Sequence, residues 1–550
     1  MGKKKVALLS NITVDLVAAK LRKKYDFYIP EGFDTWVQET INPESGLYRE
    51  SPDSIIVLLD GTEARSWKNE EEGFERISLW QQALTTLIDN ISDIPVFVTI
   101  VDFRENRIKA ISERKHSPEY AYVWYKFIQD KVEKGTNLYV LDIADAIADA
   151  GRKTCYSNKM WYISSMPYSR EGIAIVADEI DKALQAAFSP RKKIAVLDLD
   201  NTLWGGVIGE DGLEGIELSE HKEGQRYYDF QRQLYEMKMR GVVLAIDSKN
   251  NEDDAEEAIS NHPAMLLRDA DFVSKKINWN DKASNIRELE RELNITEGGF
   301  VFIDDNPVER EIVKGECTDV TVPVFPEDTS ELISFGEELW KEYFRPLRVL
   351  AEDVKKTQMY QSEIKRKHEL TESLNLNDYI SRLEVSIDIH RMTPGEMDRV
   401  VQLCNKTNQF NLTTKRYTKA DIQNIIDNQN NSIYTVHSKD KYGDNGLVSV
   451  IILIDDNENI RIDTFLMSCR VMGRKIEEAI INELALANSS KQYLTGEYIP
   501  TAKNKPVQTL YERLGFTLVS ENEGHKRYKL DLNNYTGTTM DMFKNIAFEQ

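Results

Sequence analysis

Apolar residues first gather at positions 3 to 10, KKKVALLS, a short run stopped by Asn11, and then recur at helical spacing at Val14, Leu16, Val17 and Leu21. A strand leading into a helix is the expectation. The alternation repeats: SIIVLLD (54 to 60), DIPVFVTIV (93 to 101) and NLYVLDI (137 to 143) read as further strands, separated by long amphipathic stretches such as 74 to 91. After a linker-like stretch, AAFSPRKK (186 to 193), a second series opens with IAVLDLD and continues through GVVLAIDS (241 to 248), FVSKKI (272 to 277), GFVFIDD (299 to 305) and TVPVF (321 to 325). Strands alternating with helices predict parallel sheets covered on both faces, so the fold class is α/β. A charged helical region from 331 follows, and a third part begins near Leu383. The pattern therefore predicts domains at 1–188, 189–330 and 383–550, with 331–382 as a helical connector.

Composition narrows the function classes. With 92 acidic against 70 basic side chains the net charge is −22, a field that repels polyanions, so nucleic acid is not an expected partner. An acidic partner would need a local basic patch such as Arg191, Lys192 and Lys193. No segment carries eighteen uninterrupted apolar residues and the opening MGKKKVALLSNITVDLV lacks the pattern of a cleavable signal, so no membrane association is expected. Cys155, Cys317, Cys404 and Cys469 show no CxxC spacing, which suits a reducing cytoplasm.

The chemistry concentrates in the second series. Asp198-Leu-Asp200-Asn-Thr202, Ser248, Lys282 and Asp304-Asp305 fall in order, each expected at the carboxyl end of a predicted strand, where ligands bind in open α/β sheets. Asp198 is placed to attack phosphorus, and Asp200, two residues on, to protonate the leaving oxygen and later deprotonate water. Ser248 would donate to a phosphoryl oxygen and Lys282 would balance charge. Carboxylates facing a phosphate dianion need a hard cation, and the expected magnesium ligands are Asp198, the Asp200 carbonyl, Asp304 and Asp305.

With DLDNTLWGGVIGEDG (198 to 212), SKNN (248 to 251), INWNDK (277 to 282) and FIDDNPVERE (302 to 311), the region resembles haloacid dehalogenase (HAD) phosphatases of subfamily IIIC, in particular FkbH-like proteins. The resemblance implies a Rossmannoid domain with Asp198 as nucleophile, Asp200 as acid and base, Ser248 and Lys282 binding phosphate and Asp304 binding metal. The 34 residues between Ser248 and Lys282 leave no space for a large cap. It further implies a phosphorylated three-carbon acid, 1,3-bisphosphoglycerate, whose glyceryl unit passes to an acyl carrier protein through a cysteine thioester. The family's cysteine before the serine is replaced here by Asp247, which leaves a plain phosphatase as an alternative, and Cys317 is the nearest other cysteine.

The flanks resemble known modules as well. NQFNLTTKRYT (408 to 418), SCRVMGRKIEEAII (468 to 481) and NKPVQTLYERLGF (504 to 516) are similar to the GNAT acyltransferase α+β fold, which implies CoA or phosphopantetheine held by Arg470, Gly473 and Arg474, and Tyr511 as proton donor to a thiolate. Lys475 stands where that motif has a small residue, so a CoA-dependent N-acyltransferase and a carrier-binding module beside a vestigial phosphatase centre both stay open. Residues 1–188 resemble a flavodoxin/SGNH-hydrolase-like domain with Ser10 at the first strand's end. The only histidine ahead of residue 190 is His116 and the late string MPYSREG has no DxxH, so this domain is expected to be inactive.

Overall fold

Alternation decides the first sheet. In β1 (Lys4–Ser10), Val6 and Leu8 face one helical layer and Ala7 and Leu9 the other, so both faces of the strand are buried. The structure is a computed structural model and describes residues 2–104, 108, 110–113, 118–349 and 353–549. With β2 (Tyr25–Tyr28), β3 (Ser54–Leu58), β4 (Val96–Thr99) and β5 (Leu138–Leu141), β1 forms a parallel sheet ordered β2-β1-β3-β4-β5. This is the doubly wound, flavodoxin-type order. Helices α1 (Asp15–Leu21) and α4 (Arg170–Phe188) cover one face, and α2 (Glu70–Asn90) and α3 (Glu119–Glu133) the other.

The chain divides into two compact units, the first made of residues up to 193 together with 323–349. The stretch expected as one connector is therefore shared. Its early part, with helix Leu332–Leu339, belongs to the first unit, where Glu342 pairs with Lys182 at 3.0 Å and Arg348 donates to the Gly135 carbonyl at 3.0 Å. The helix following residue 352 belongs to the second unit.

In that second unit β6 (Ile194–Leu197), α5 (Gln225–Met239), β7 (Val243–Ser248), α6 (Glu252–Asn261), β8 (Phe272–Ile277), α7 (Lys282–Leu293), β9 (Phe300–Ile303) and α8 (Pro307–Glu316) build a parallel sheet ordered β8-β7-β6-β9. Between Ser248 and Lys282 stand only α6, a single 3₁₀ turn and β8, so no cap domain is inserted there. The strand expected at TVPVF does not form. Thr321 makes one bridge to Val301, and Pro323, which has no N–H, cannot extend it.

Helix α9 (Lys356–Glu372) ties this sheet to the last part of the same unit. Gln361 donates to the Phe272 carbonyl at 2.8 Å, while Arg366 donates to Asp440 through Nε at 2.7 Å. The last part holds β10 (Ser386–Arg391), α10 (Met397–Lys406), α11 (Lys419–Asp427), β11 (Asn431–Asp440), β12 (Gly443–Asp456), β13 (Asn459–Met467), α12 (Ile476–Ala487), β14 (Tyr493–Tyr498), β15 (Thr517–Asn522), β16 (His525–Asp531) and β17 (Asn545–Phe548). Its sheet runs β15-β16-β14-β13-β12-β11-β10-β17, antiparallel except at β13–β14 and β10–β17. Helix α12 makes the crossover that the parallel β13–β14 pair requires. Among the described residues no helix is long and apolar enough to cross a membrane.

Candidate active site

Strand β6 lies between β7 and β9, and the turns leaving these three strands converge. The Asp198 amide donates to the Ile303 carbonyl at 3.0 Å, which locks the start of the first turn to the neighbouring strand. Two residues on, the Asp200 carboxylate is fixed by three donors: Trp204 Nε1 at 2.9 Å and the Ile208 amide at 3.1 Å on Oδ1, and Asn250 Nδ2 at 2.9 Å on Oδ2. Asn201, the next residue, takes a left-handed backbone (φ 56°), which its short polar side chain tolerates, and accepts from the Gly206 amide at 3.0 Å. Burial lifts the Asp200 carboxyl above its ordinary range in spite of those donors. The shift is in the direction that general-acid work needs.

Lys282 opens α7, whose N-terminus Asp281 caps by accepting from the Ser284 amide. Its ammonium, 2% exposed, sits 3.0 Å from Asp198 Oδ2 and 2.5 Å from Asp304 Oδ2. Burial works against the charged amine, yet these two carboxylates hold its pKa above the usual lysine value. Asp304 follows β9 and accepts from the Asn306 amide at 2.8 Å, and Arg310 pins the turn by donating to the carbonyls of Asp304 (2.8 Å) and Asp305 (2.6 Å). Burial, then the charge of Asp198, raises Asp304; burial, then Asp198 and Asp304, pushes Asp305 up to about 6.

Such mutual repulsion asks for a cation. Carboxylate oxygens of Asp198, Asp304 and Asp305 lie within 4.8 Å of one another, and the buried Asp198 Oδ1 has no hydrogen-bond partner among the described residues. An all-oxygen donor set of this kind fits a hard divalent ion. A cavity of about 310 Å³ is lined by Asp198, Asp200, Ser248, Lys282 and Asp305, so all four expected catalytic residues border one space. Asn250 and Trp204 orient Asp200, a role that the pattern of the sequence does not show although both lie inside the quoted strings, Trp204 as a residue of the expected rim.

Asp247, at the expected cysteine position and one residue before Ser248, is fully buried. Its Oδ1 accepts from Asn285 Nδ2 at 2.8 Å, its Oδ2 has no partner among the described residues, and burial pushes the carboxyl up to about 8. Cys317 is also buried, its thiol donating to the Ala283 carbonyl at 3.7 Å and pushed up to about 11 by burial. Neither position offers a thiol to the cavity.

The expected CoA residues fare differently. Gly473 has φ 78°, which favours glycine, but Arg474 is 2% exposed and donates to Glu363 (2.9 Å), Asp440 (3.3 Å) and the Arg470 carbonyl (2.8 Å). Its guanidinium is committed to a buried ion network, which corrects the expectation that it faces a pyrophosphate. Arg470 leans on Ser468 Oγ (3.3 Å) and Met359 Sδ (3.4 Å). Glu477 and Glu478 occupy the first turn of α12, where acidic side chains suit the positive helix end. The Tyr511 hydroxyl is buried without a partner among the described residues, packs against Phe516 and Tyr528, and is raised by burial. In the first unit Ser10 Oγ donates to the Leu58 carbonyl at 2.5 Å and accepts from the Ile12 amide at 3.1 Å, a structural use of the hydroxyl; His116 lies outside the described residues.

No protein-family model matches the chain, and comparison with curated proteins finds no match. Among solved structures, the N-terminal part of the protein BF1531 from Bacteroides fragilis, containing a phosphatase domain and complexed with Mg, is similar at 26% identity and a TM-score of 0.58, over 63% of this chain and 95% of that chain. A mutant of the spermidine N-acetyltransferase SpeG from Vibrio cholerae is matched at 15% identity over 27% of this chain and 96% of that chain, with a TM-score of 0.22.

Proposed function

We propose that residues 194–322 form a magnesium-dependent phosphatase of the HAD type that works through a phosphoryl group carried on Asp198. The observation that carries the reading is the shared Lys282 ammonium between Asp198 and Asp304, with Asp198 Oδ1 left unpartnered beside Asp305. The likeness to a phosphatase domain complexed with Mg supports it. Held by Asp198, Asp304, Asp305 and the Asp200 carbonyl, magnesium would supply charge neutralisation for carboxylates and phosphoryl oxygens alike.

The residues of the chain do the rest. An Asp198 oxygen bonds to phosphorus as the bond to the leaving oxygen breaks, and Asp200 gives that oxygen its proton. Asp200 then takes a proton from water, whose oxygen bonds to phosphorus, and the Asp198–phosphorus bond breaks to release phosphate. Ser248 donates to a phosphoryl oxygen, and Lys282 holds the charge balance throughout.

The finer reading is the FkbH-like one: a phosphorylated three-carbon acid such as 1,3-bisphosphoglycerate as substrate, an acyl carrier protein as acceptor, a GNAT-like last domain as carrier, CoA or phosphopantetheine module, and cytoplasmic residence. The strings at 198–212 and 302–311 favour it, as does the absence of a cap between Ser248 and Lys282. The buried Asp247 and Cys317 favour phosphate release without a cysteine-bound relay. We therefore place hydrolysis first and carrier loading second.

The test incubates the full chain with Mg²⁺ and 1,3-bisphosphoglycerate, with and without a pantetheinylated carrier. Phosphate release with a carrier of unchanged mass supports hydrolysis, and a glyceryl gain in carrier mass puts loading first. Silence toward this compound and toward a simple aryl phosphate overturns both.

A further inference from the structure

Among the described residues a second cluster has metal-ligand chemistry, and nothing in the phosphatase reading uses it: His390, Glu396 and His437. Strands β10 and β11 run antiparallel with Asp388 opposite His437 and His390 opposite Thr435. The two histidines are thus diagonal neighbours on one face of the sheet. Their rings stand 5.3 Å apart at an interplanar angle of 24°.

Glu396 arrives from the 3₁₀ turn Pro394–Glu396 that leads into α10. The Thr393 amide (2.7 Å) and hydroxyl (2.9 Å) hold its Oε2, which leaves Oε1 for the imidazoles, 2.7 Å from His437 Nε2 and 3.3 Å from His390 Nε2. Burial opposes the charge, but the Thr393 and His437 contacts keep this carboxyl below its ordinary range and so anionic. Two Nε2 atoms aimed at one oxygen is an arrangement that hydrogen bonding satisfies only when both nitrogens carry protons. Ligand atoms around a tetrahedral zinc ion stand about 3.3 Å apart; the His390 contact has that spacing, and the His437 contact is shorter, at hydrogen-bond distance. On its far side His390 Nδ1 lies 3.7 Å from Asp388 Oδ2, just beyond hydrogen-bond distance and near enough for that carboxylate to close onto a ligating histidine.

We propose that His390, Glu396 and His437 bind a first-row transition-metal dication of the zinc class. Imidazole nitrogen suits such an ion and not magnesium, so the site is chemically separate from the Asp198 centre. The side chains are 20%, 14% and 37% exposed, which leaves a fourth position to water or an incoming donor. Because the ligands come from β10, β11 and the turn ahead of α10, the ion clamps three segments and stabilises the fold around them.

The experiment strips the full chain with a chelator, saturates it with Mg²⁺ and titrates it with Zn²⁺ by calorimetry, following Tm in parallel. One Zn²⁺ per chain and a raised Tm are expected. His390→Ala and His437→Ala should each weaken Zn²⁺ binding beyond the roughly 10–100-fold that losing an outer partner costs, and Asp388→Asn by about ten-fold. Asp198→Asn should leave it unchanged. Should the histidine variants fail to fold, Co²⁺ absorption of the native chain decides: tetrahedral bands support the site and a purely octahedral spectrum overturns it. Zn²⁺ binding that survives both histidine changes, or that Asp198→Asn abolishes, or that the native chain lacks in Mg²⁺, also overturns it.

Discussion

The turn after β6 and the turn ahead of α12 both follow a strand, and both carry residue types that bind phosphate. At the first, Asp198, Asp200, Ser248 and Lys282 border one cavity, and their excess negative charge is matched only in part by Lys282. At the second, Arg474 is turned inward onto Asp440 and Glu363, and the acids of the helix's first turn meet its positive end. One place leaves charge to be completed by a ligand, and the other has completed it from within the chain. A motif supplies residue types; whether they remain available is decided by partners distant in sequence.

The sharpest way to break the comparison is to remove the first site's nucleophile. Asp198→Asn should lower the kcat of phosphate release by about four orders of magnitude or more, and Asp200→Asn by about 10²–10⁴-fold. Steady-state assays in Mg²⁺ with Tm as a folding check will measure this. Near-native turnover in Asp198→Asn would move the chemistry elsewhere.

The legibility of these sites follows the range of their contacts. Each acid of the first site ends or follows an apolar run, so strand periodicity alone places Asp198, Ser248 and Asp304 at the carboxyl ends of their strands. Asn250, which holds Asp200, sits fifty residues away by no local rule. Arg474 finds Glu363 across 111 positions and Asp440 across 34, and His437 meets Glu396 across 41, spacings that no short motif encodes. Elements show the same limit: YDFY forms β2 over only four residues, too few to establish a period, and TVPVF resembles a strand in composition but fails at Pro323. The shared membership of the 331–382 stretch is likewise set by packing, through Lys182 with Glu342 and Gln361 with Phe272.

A second prediction concerns the inward arginine. Arg474→Ala should destabilise the protein by about 3 kcal/mol, toward the low end for a broken buried pair because Asp440 keeps Arg366, and should leave phosphate release unchanged. Denaturant midpoints measure the first and the kcat the second. A loss of CoA affinity with no loss of stability would instead give Arg474 back to a ligand.

The smallest effect separates the two kinds of buried charge by pH. Burial tends to raise Asp440, but the Arg366 contacts hold it below the ordinary carboxylate range, so its contribution is complete above about pH 4 and fades only as the pH falls through its lowered folded value. Asp247 is the opposite case. Its folded value is pushed up to about 8 while the unfolded one stays near about 3.9, so between these limits the folded chain holds a proton that the unfolded chain has lost, and stability falls as pH rises. Asp247→Asn removes that cost. Its Tm advantage over the native chain should therefore widen from pH 4 to pH 8 by at least about 2–4 °C and level off beyond, while the deficit of Arg474→Ala stays flat over the upper part of that range. A Tm gap for Asp247→Asn that does not change with pH would mean that the carboxylate is ionised in the folded protein, and that the interior next to Ser248 carries a charge as the cavity does.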